Sequence, residues 1–184
     1  MKAKVNKVTI EIDRNTLLNL PAAVIVNATD PNLSLPPELA RRGGDTLQAQ
    51  CREIGWCDVG AAVITDAGSL PFEKIIHAVG PRWGEGSERA KLALATLQSL
   101  QLAEENRLKS IALPAISTGA LGYPLENCAK VMLAQIIDYT FENLKYLRTI
   151  SICLDNDVAL AVFRQEFQSQ IQDLKESGEG KVKV

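Results

Sequence analysis

The residues whose types and spacing best suit chemistry lie together, in the run Ile111 to Glu126 (IALPAISTGALGYPLE). A short apolar stretch leads into a loop of small residues containing Gly119 and Gly122, and the loop opens into a segment with helical spacing. That order suits an oxyanion such as a phosphate. Glycines allow close backbone approach and positive φ, a helix N-terminus offers unpaired N–H groups, and Ser117 and Thr118 add hydroxyls. A plainer reading rests on the same spacing: the two glycines only let the chain turn between strand and helix, as short glycine loops do in many α/β units.

Other reactive side chains are sparse. His77 is the one histidine and lies mid-strand between Ile76 and Ala78, a setting for a packed histidine rather than a general base. Ser117 sits in no nucleophile-elbow pattern, so a serine hydrolase is not indicated. Cys51, Cys57, Cys128 and Cys153 are scattered without a CxxC pair and form no zinc pattern with a single histidine. Reduced, mostly buried thiols in a cytoplasmic protein are the expectation, with no metal and no cofactor. Trp56 and Trp83 read as packing residues, and Asn27 on its own reads as a strand-end cap.

The elements that must position the loop follow from periodicity. Val5 to Asp13 alternates and reads as an opening strand, and Ala23 to Ala28 (AVIVNA) reads as a strand buried on both faces. Pro36 and Pro37 precede a short helix to about Arg42, broken at Gly43-Gly44, and Asp45 caps a second helix to about Ile54. Ala61 to Thr65 and Lys74 to Val79 read as strands either side of a Gly68–Pro71 turn. A long helix spans Ser87 to Asn106, with Ala90, Leu94, Leu97 and Leu100 on one face, widened by Leu92 and Leu102. Ser110 to Pro114 is a buried strand, Pro124 to Phe141 a helix, and Thr149 to Leu154 the last strand. A final helix begins near Asp157, with Leu160, Phe163, Phe167, Ile171 and Leu174 on its apolar stripe.

Strands alternating with helices predict one three-layer α/β/α sandwich over residues 1–174, built on a mixed, largely parallel sheet of six or seven strands. Residues 175–184 read as a flexible polar tail. The 184 residues, 46% hydrophobic and 23% charged, suit one globular domain. A net charge of -2 offers no general attraction to nucleic acid or anionic lipid, and no apolar run is long enough to cross a bilayer.

The run PAISTGALGYPLE resembles the second binding loop of the macrodomain family, whose members are ADP-ribose-binding α/β/α modules. AVIVNATD (Ala23 to Asp30), GAAVITDAGSLP (Gly60 to Pro71) and KIIHAVGPRW (Lys74 to Trp83) fall in the family's order and spacing, so the resemblance spans about Val5 to Leu174. It implies that Ser117, Thr118 and Gly119 cradle a diphosphate, with Ala120, Leu121 and Gly122 completing the loop. It also implies that Asn27 contacts the distal ribose.

The chain departs from the family in several places. Thr16, with Asn15 beside it, stands where family binders carry an adenine-reading aspartate, for which Asp13 substitutes only if its loop shifts. Leu154, followed by Asp155 and Asn156, replaces a stacking aromatic, and Leu121 replaces an aromatic at the distal ribose. The family's first glycine-rich loop, with its catalytic aspartate, is replaced by Asp30 to Glu38 (DPNLSLPPE), whose prolines lack N–H groups. The resemblance therefore implies a binding module for ADP-ribose or a related nucleotide diphosphate, with ADP-ribosylated protein as a further partner and no residue placed for catalysis. An ADP-ribosyl hydrolase or deacetylase, and a divergent domain acting through protein contacts alone, are the other readings.

Overall fold

The computed structural model describes Met1–Val184. Strands β1 (Lys2–Val5) and β2 (Val8–Arg14) form a hairpin rather than one opening strand. Asn6 supplies the positive φ of 57° that a two-residue turn between Val5 and Val8 requires. Next come β3 (Val24–Thr29), α1 (Pro37–Ile54), β4 (Ala62–Asp66), β5 (Lys74–Val79) and α2 (Glu88–Glu105). The chain finishes with β6 (Ser110–Leu113), α3 (Leu125–Tyr139), β7 (Thr149–Leu154), α4 (Asp157–Ser177) and β8 (Val182–Lys183).

All eight strands share one sheet, in the order β4-β5-β3-β6-β7-β2-β1-β8. The five central strands are parallel to their neighbours, and β4, β1 and β8 join antiparallel at the two sides. The sheet is thus wider than the expected six or seven strands. The hairpin adds one strand, and the C-terminal segment adds another by pairing Val182 with Val5. Residues 175–184 are therefore not simply a polar tail. Three of them finish α4, Gly178 ends that helix at φ 72°, and the Lys181 N–H donates to Asn6 Oδ1 at 3.0 Å as the chain returns to the sheet edge.

Helix α1 covers one face of the sheet over Ile25, Ile75 and Val79, while α2, α3 and α4 cover the other in the larger core. Val24, Ile25 and Val26 are fully buried, which explains why β3 reads as an uninterrupted apolar run. In α2 the expected face is met in part. Leu92 and Leu100 are fully buried and Leu97 and Leu102 pack against the core, but Ala90 and Leu94 are exposed and Ala95, Ser99 and Ala103 are buried in their place, because leucine on every side of this helix leaves tertiary packing to choose the inner stripe. The break expected at Gly43-Gly44 is a kink inside α1, at Gly44 (φ 76°, ψ -167°), a conformation open to glycine.

This topology decides where a ligand can sit. The carboxyl ends of β2, β3, β5, β6 and β7 all reach the same edge of the sheet, the usual ligand edge of an open α/β fold. The segment that follows β6, the middle one of these strands, is the Ser117–Gly122 loop.

Candidate functional site

Two depressions flank the loop after β6 and share Ala115 and Gly119, so together they make one cleft along the carboxyl edge. One lobe, about 480 Å³, lies over the ends of β3 and β5 and is bordered by Thr29, Ser34, Gly80, Ser117, Ala120 and Leu121. The other, about 530 Å³, lies over the ends of β2 and β7 and is bordered by Asn15, Thr16, Thr118, Leu154, Asp155 and Asn156.

The loop between them is rich in unspent donors. The backbone N–H groups of Ser117, Gly119, Ala120 and Leu121 reach no protein acceptor. The turn is held instead by Gly122 N–H to Gly119 O at 3.0 Å and Tyr123 N–H to Ser117 O at 2.9 Å. Trp83 N–H ties it to the neighbouring loop through Leu121 O at 2.9 Å. Successive unpaired N–H groups in such a turn form a concave seat for an anion. Of the first turn of α3 only Leu125 borders the cleft, so the loop backbone rather than the helix end provides the donors.

Ser117 is the most unusual residue of the loop. It adopts φ 68°, and its Oγ is the one buried side-chain N or O atom in the protein without a hydrogen-bond partner. Gly80, at the end of β5, packs directly beneath it, and a Cβ there would overlap Ser117 Oγ. The need for glycine at 80 was not apparent from the sequence; its only signal was the break after KIIHAV. Thr118 is different. Its hydroxyl donates to Ala115 O at 2.9 Å, so it brings no free donor to the site. Gly119 has open space where a Cβ would project, and Gly122, at φ 74°, serves the turn rather than bordering either lobe.

The segment after β3 spends the N–H groups of its turn on Asp30. Asp30 Oδ1 accepts from Asn32 N–H at 2.9 Å and Ser34 N–H at 3.4 Å, and Leu33 N–H donates to Asp30 O. With Pro31, Pro36 and Pro37 lacking N–H groups, this segment offers fewer free donors to the cleft than the loop after β6. Asn27 is 5% exposed and does not border the cleft. Its amide nitrogen faces His77 Nδ1 at 3.1 Å and Ser34 O at 3.5 Å. His77 is fully buried, and desolvation pushes its pKa down to about 4, so it is neutral near pH 7.

At the other end of the cleft, Asp13 lies outside the lobe, within 3.5 Å of the N-terminal ammonium, so it does not replace the aspartate missing at Thr16. Asn156 is spent as the N-cap of α4, accepting from Ala159 N–H at 2.8 Å and donating to Asp155 Oδ1 at 2.9 Å. Asp155 is thus the carboxylate of that lobe. No lysine or arginine borders either lobe. Trp83 stacks edge-on against Tyr123 at 5.0 Å, but it and Trp56 are 47% and 59% exposed rather than buried packing residues. All four cysteines are buried and unpaired.

Fold and site together define a three-layer α/β/α domain with an N–H-rich turn at the carboxyl edge of a mostly parallel sheet. The chain belongs to the macro domain family, whose model matches residues 26–132. It is 38% identical over 165 residues to an O-acetyl-ADP-ribose deacetylase of Klebsiella pneumoniae, covering 84% of this chain and 94% of that protein. An Oceanobacillus iheyensis macrodomain solved with ADP superposes with a TM-score of 0.88 at 27% identity, over 94% of this chain and 97% of that one. A variant of the same macrodomain, solved with ADPR, superposes with a TM-score of 0.87 at 26% identity, over 94% and 98%.

Proposed function

We propose that this protein binds ADP-ribose or a closely related nucleoside diphosphate, with the diphosphate on the Ser117–Leu121 turn and the two ends in the flanking lobes. The observation that carries this reading is the set of unspent donors in that turn, four N–H groups beside a buried hydroxyl without a partner. Buried polar groups are rarely left unpaired, and an orphan in a cleft is an expected mark of a ligand position. The family relationship supplies the chemical class, because related macrodomains have been solved with ADP and ADPR.

The lobe over β2 and β7 takes the base, and the lobe over β3 and β5 takes the distal ribose. With no cationic side chain at either lobe, the negative charge is met by the peptide dipoles of the turn and the Ser117 hydroxyl. The same cleft accommodates an ADP-ribosyl group carried on a protein. Four unpaired thiols suit a reducing, cytoplasmic setting. Titration calorimetry with ADP-ribose tests the reading. Saturable binding is expected in the parent, and a parent that binds no nucleoside diphosphate refutes it.

The relative in Klebsiella pneumoniae favours a second reading, removal of an acetyl group from O-acetyl-ADP-ribose. The segment after β3 argues against efficient turnover. Asp30 is held in its own turn by two N–H groups, and general acid–base help is typically worth about 10²–10⁴-fold. Feeble or no release of acetate is expected. Robust turnover abolished by Asp30→Ala or Glu38→Ala would establish the enzyme and name its base.

A further inference from the structure

The groove between α2 and α3 takes no part in the cleft, yet it begins behind the same turn. The Trp83 N–H holds Leu121 O at 2.9 Å, and a Cβ on Gly122 would meet Trp83 Cβ at 4.0 Å, so Trp83 stands directly beyond the turn. Leu121 borders the lobe over β3 and β5, and Trp83 borders the groove. At about 620 Å³ the groove is larger than either lobe. Its α3 wall, from Asn127 to Asp138, is roughly 16 Å long, the reach of about five residues of extended chain.

The end nearest the turn is built for a negative charge. Arg89 and Lys130 line it, and neither enters an ion pair within the protein. Tyr123 lines it too and is 3% exposed, with no hydrogen-bond partner for its hydroxyl. That hydroxyl is not sealed in the core, because the one buried side-chain oxygen left without a partner is Ser117 Oγ. It opens on the groove, and burial pushes its pKa up, so it stays a protonated donor. Helices α2 and α3 both begin at the Trp83–Tyr123 pair and turn the positive ends of their dipoles toward it. The two carboxylates of the lining leave this charge in place. Glu88 Oε1 is turned back to Gly84 N–H at 2.8 Å, and Asp138 lies roughly 12 Å along α3 from Lys130.

We propose that this groove receives the polypeptide that carries an ADP-ribosyl group, and that Arg89, Lys130 and the Tyr123 hydroxyl select an acidic side chain close to the modified residue. The proposal rests on the nucleotide reading for what fills the cleft. A chain leaving the lobe over β3 and β5 past Leu121 meets the exposed face of Trp83 first and the two cations next. Ala93, Val131 and Ala134 then give it a shallow apolar floor. The cleft holds the modification and the groove reads its surroundings, so the two contacts reinforce each other as linked sites do.

The test compares two ADP-ribosylated peptides that differ only in the neighbours of the modified residue, glutamates in one and glutamines in the other. By calorimetry the glutamate peptide should bind the parent about three- to tenfold tighter, as one or two exposed ion pairs allow. The gap should close in about 0.5 M salt. Arg89→Glu/Lys130→Glu should reverse the preference and leave free ADP-ribose within about twofold, because neither residue borders the cleft. Equal binding of the two peptides by the parent overturns the proposal. A second arm needs no nucleotide. The unmodified glutamate peptide, at millimolar concentration, should move the Trp83 indole N–H signal saturably, and the glutamine peptide should not. A Trp83 signal that stays still overturns the groove as the peptide site. Excess ADP-ribose that moves it after the cleft is filled gives the groove to a second nucleotide, and a dimer dissociated by Trp83→Ala gives it to a second copy; either result overturns the proposal. A parent that binds no ADP-ribose overturns the nucleotide reading instead, and the unmodified peptides still decide whether the groove takes an acidic segment.

Discussion

Replacing Ser117 by alanine should make the ligand-free protein more stable and the ligand weaker, two effects that a merely structural serine would not produce together. The Ser117 hydroxyl is buried without a hydrogen-bond partner. Leaving a buried polar group unsatisfied costs about 1–3 kcal/mol, and alanine removes that cost while keeping Cβ against Gly80. The backbone strain at φ 68° is the same for both residues, so it cancels from the comparison. Taking about 1 kcal/mol as the lower bound, Tm should rise by at least ~2–4 °C for a chain of this length. With ligand bound, the hydroxyl becomes a donor to a charged phosphate, and losing that bond should cost about 1.5–3 kcal/mol, roughly ten- to 150-fold in Kd. Differential scanning calorimetry of the apo proteins and isothermal titration with ADP-ribose read the two halves. An apo Tm that falls, with affinity unchanged, would show that the hydroxyl is satisfied inside the protein and takes no part in binding.

Gly119→Glu should abolish ADP-ribose binding and leave the fold intact, since open space receives the new Cβ and the carboxylate meets the phosphates; an unmoved Kd would show that the turn is not the site. Stability should decline as pH falls from about 6.5 to 4. Unfolded His77 takes up a proton near its ordinary 6.5 that the native, desolvated ring refuses until about 4, a difference of about 3 kcal/mol at most. Urea unfolding at several pH values should show this slope in the parent, and its persistence in His77→Asn would assign it to other groups. ADP-ribose and its hypoxanthine analogue should bind within about tenfold of each other, ~1.4 kcal/mol, because Thr16 and Leu154 replace a carboxylate and a ring. Asp155→Ala should erase whatever preference remains, and a preference that survives it would place the base reader elsewhere.

Much of this protein was legible along the chain because local physics decided it. The uninterrupted apolar run of β3 announces a strand covered on both faces, and the Ser117–Gly122 loop announces itself by small residues between a strand and a helix. The prolines after Asp30 thin the donors of their loop because proline has no N–H to give. Other features depended on who packs against whom. The inner face of α2 could not be read from a helix with leucine all around it, and the pairing of Val182 with Val5 joins residues at opposite ends of the chain. Gly80 is required only because the strand order sets it beneath Ser117. The spent hydroxyl of Thr118, the capping role of Asn156 and the inward turn of the Asn27 amide likewise depend on hydrogen-bond partners that nothing short of the folded arrangement specifies. Composition and spacing constrain which groups a segment offers, whereas a buried polar atom's role is set by the neighbour that satisfies it, and that neighbour is chosen by the sheet.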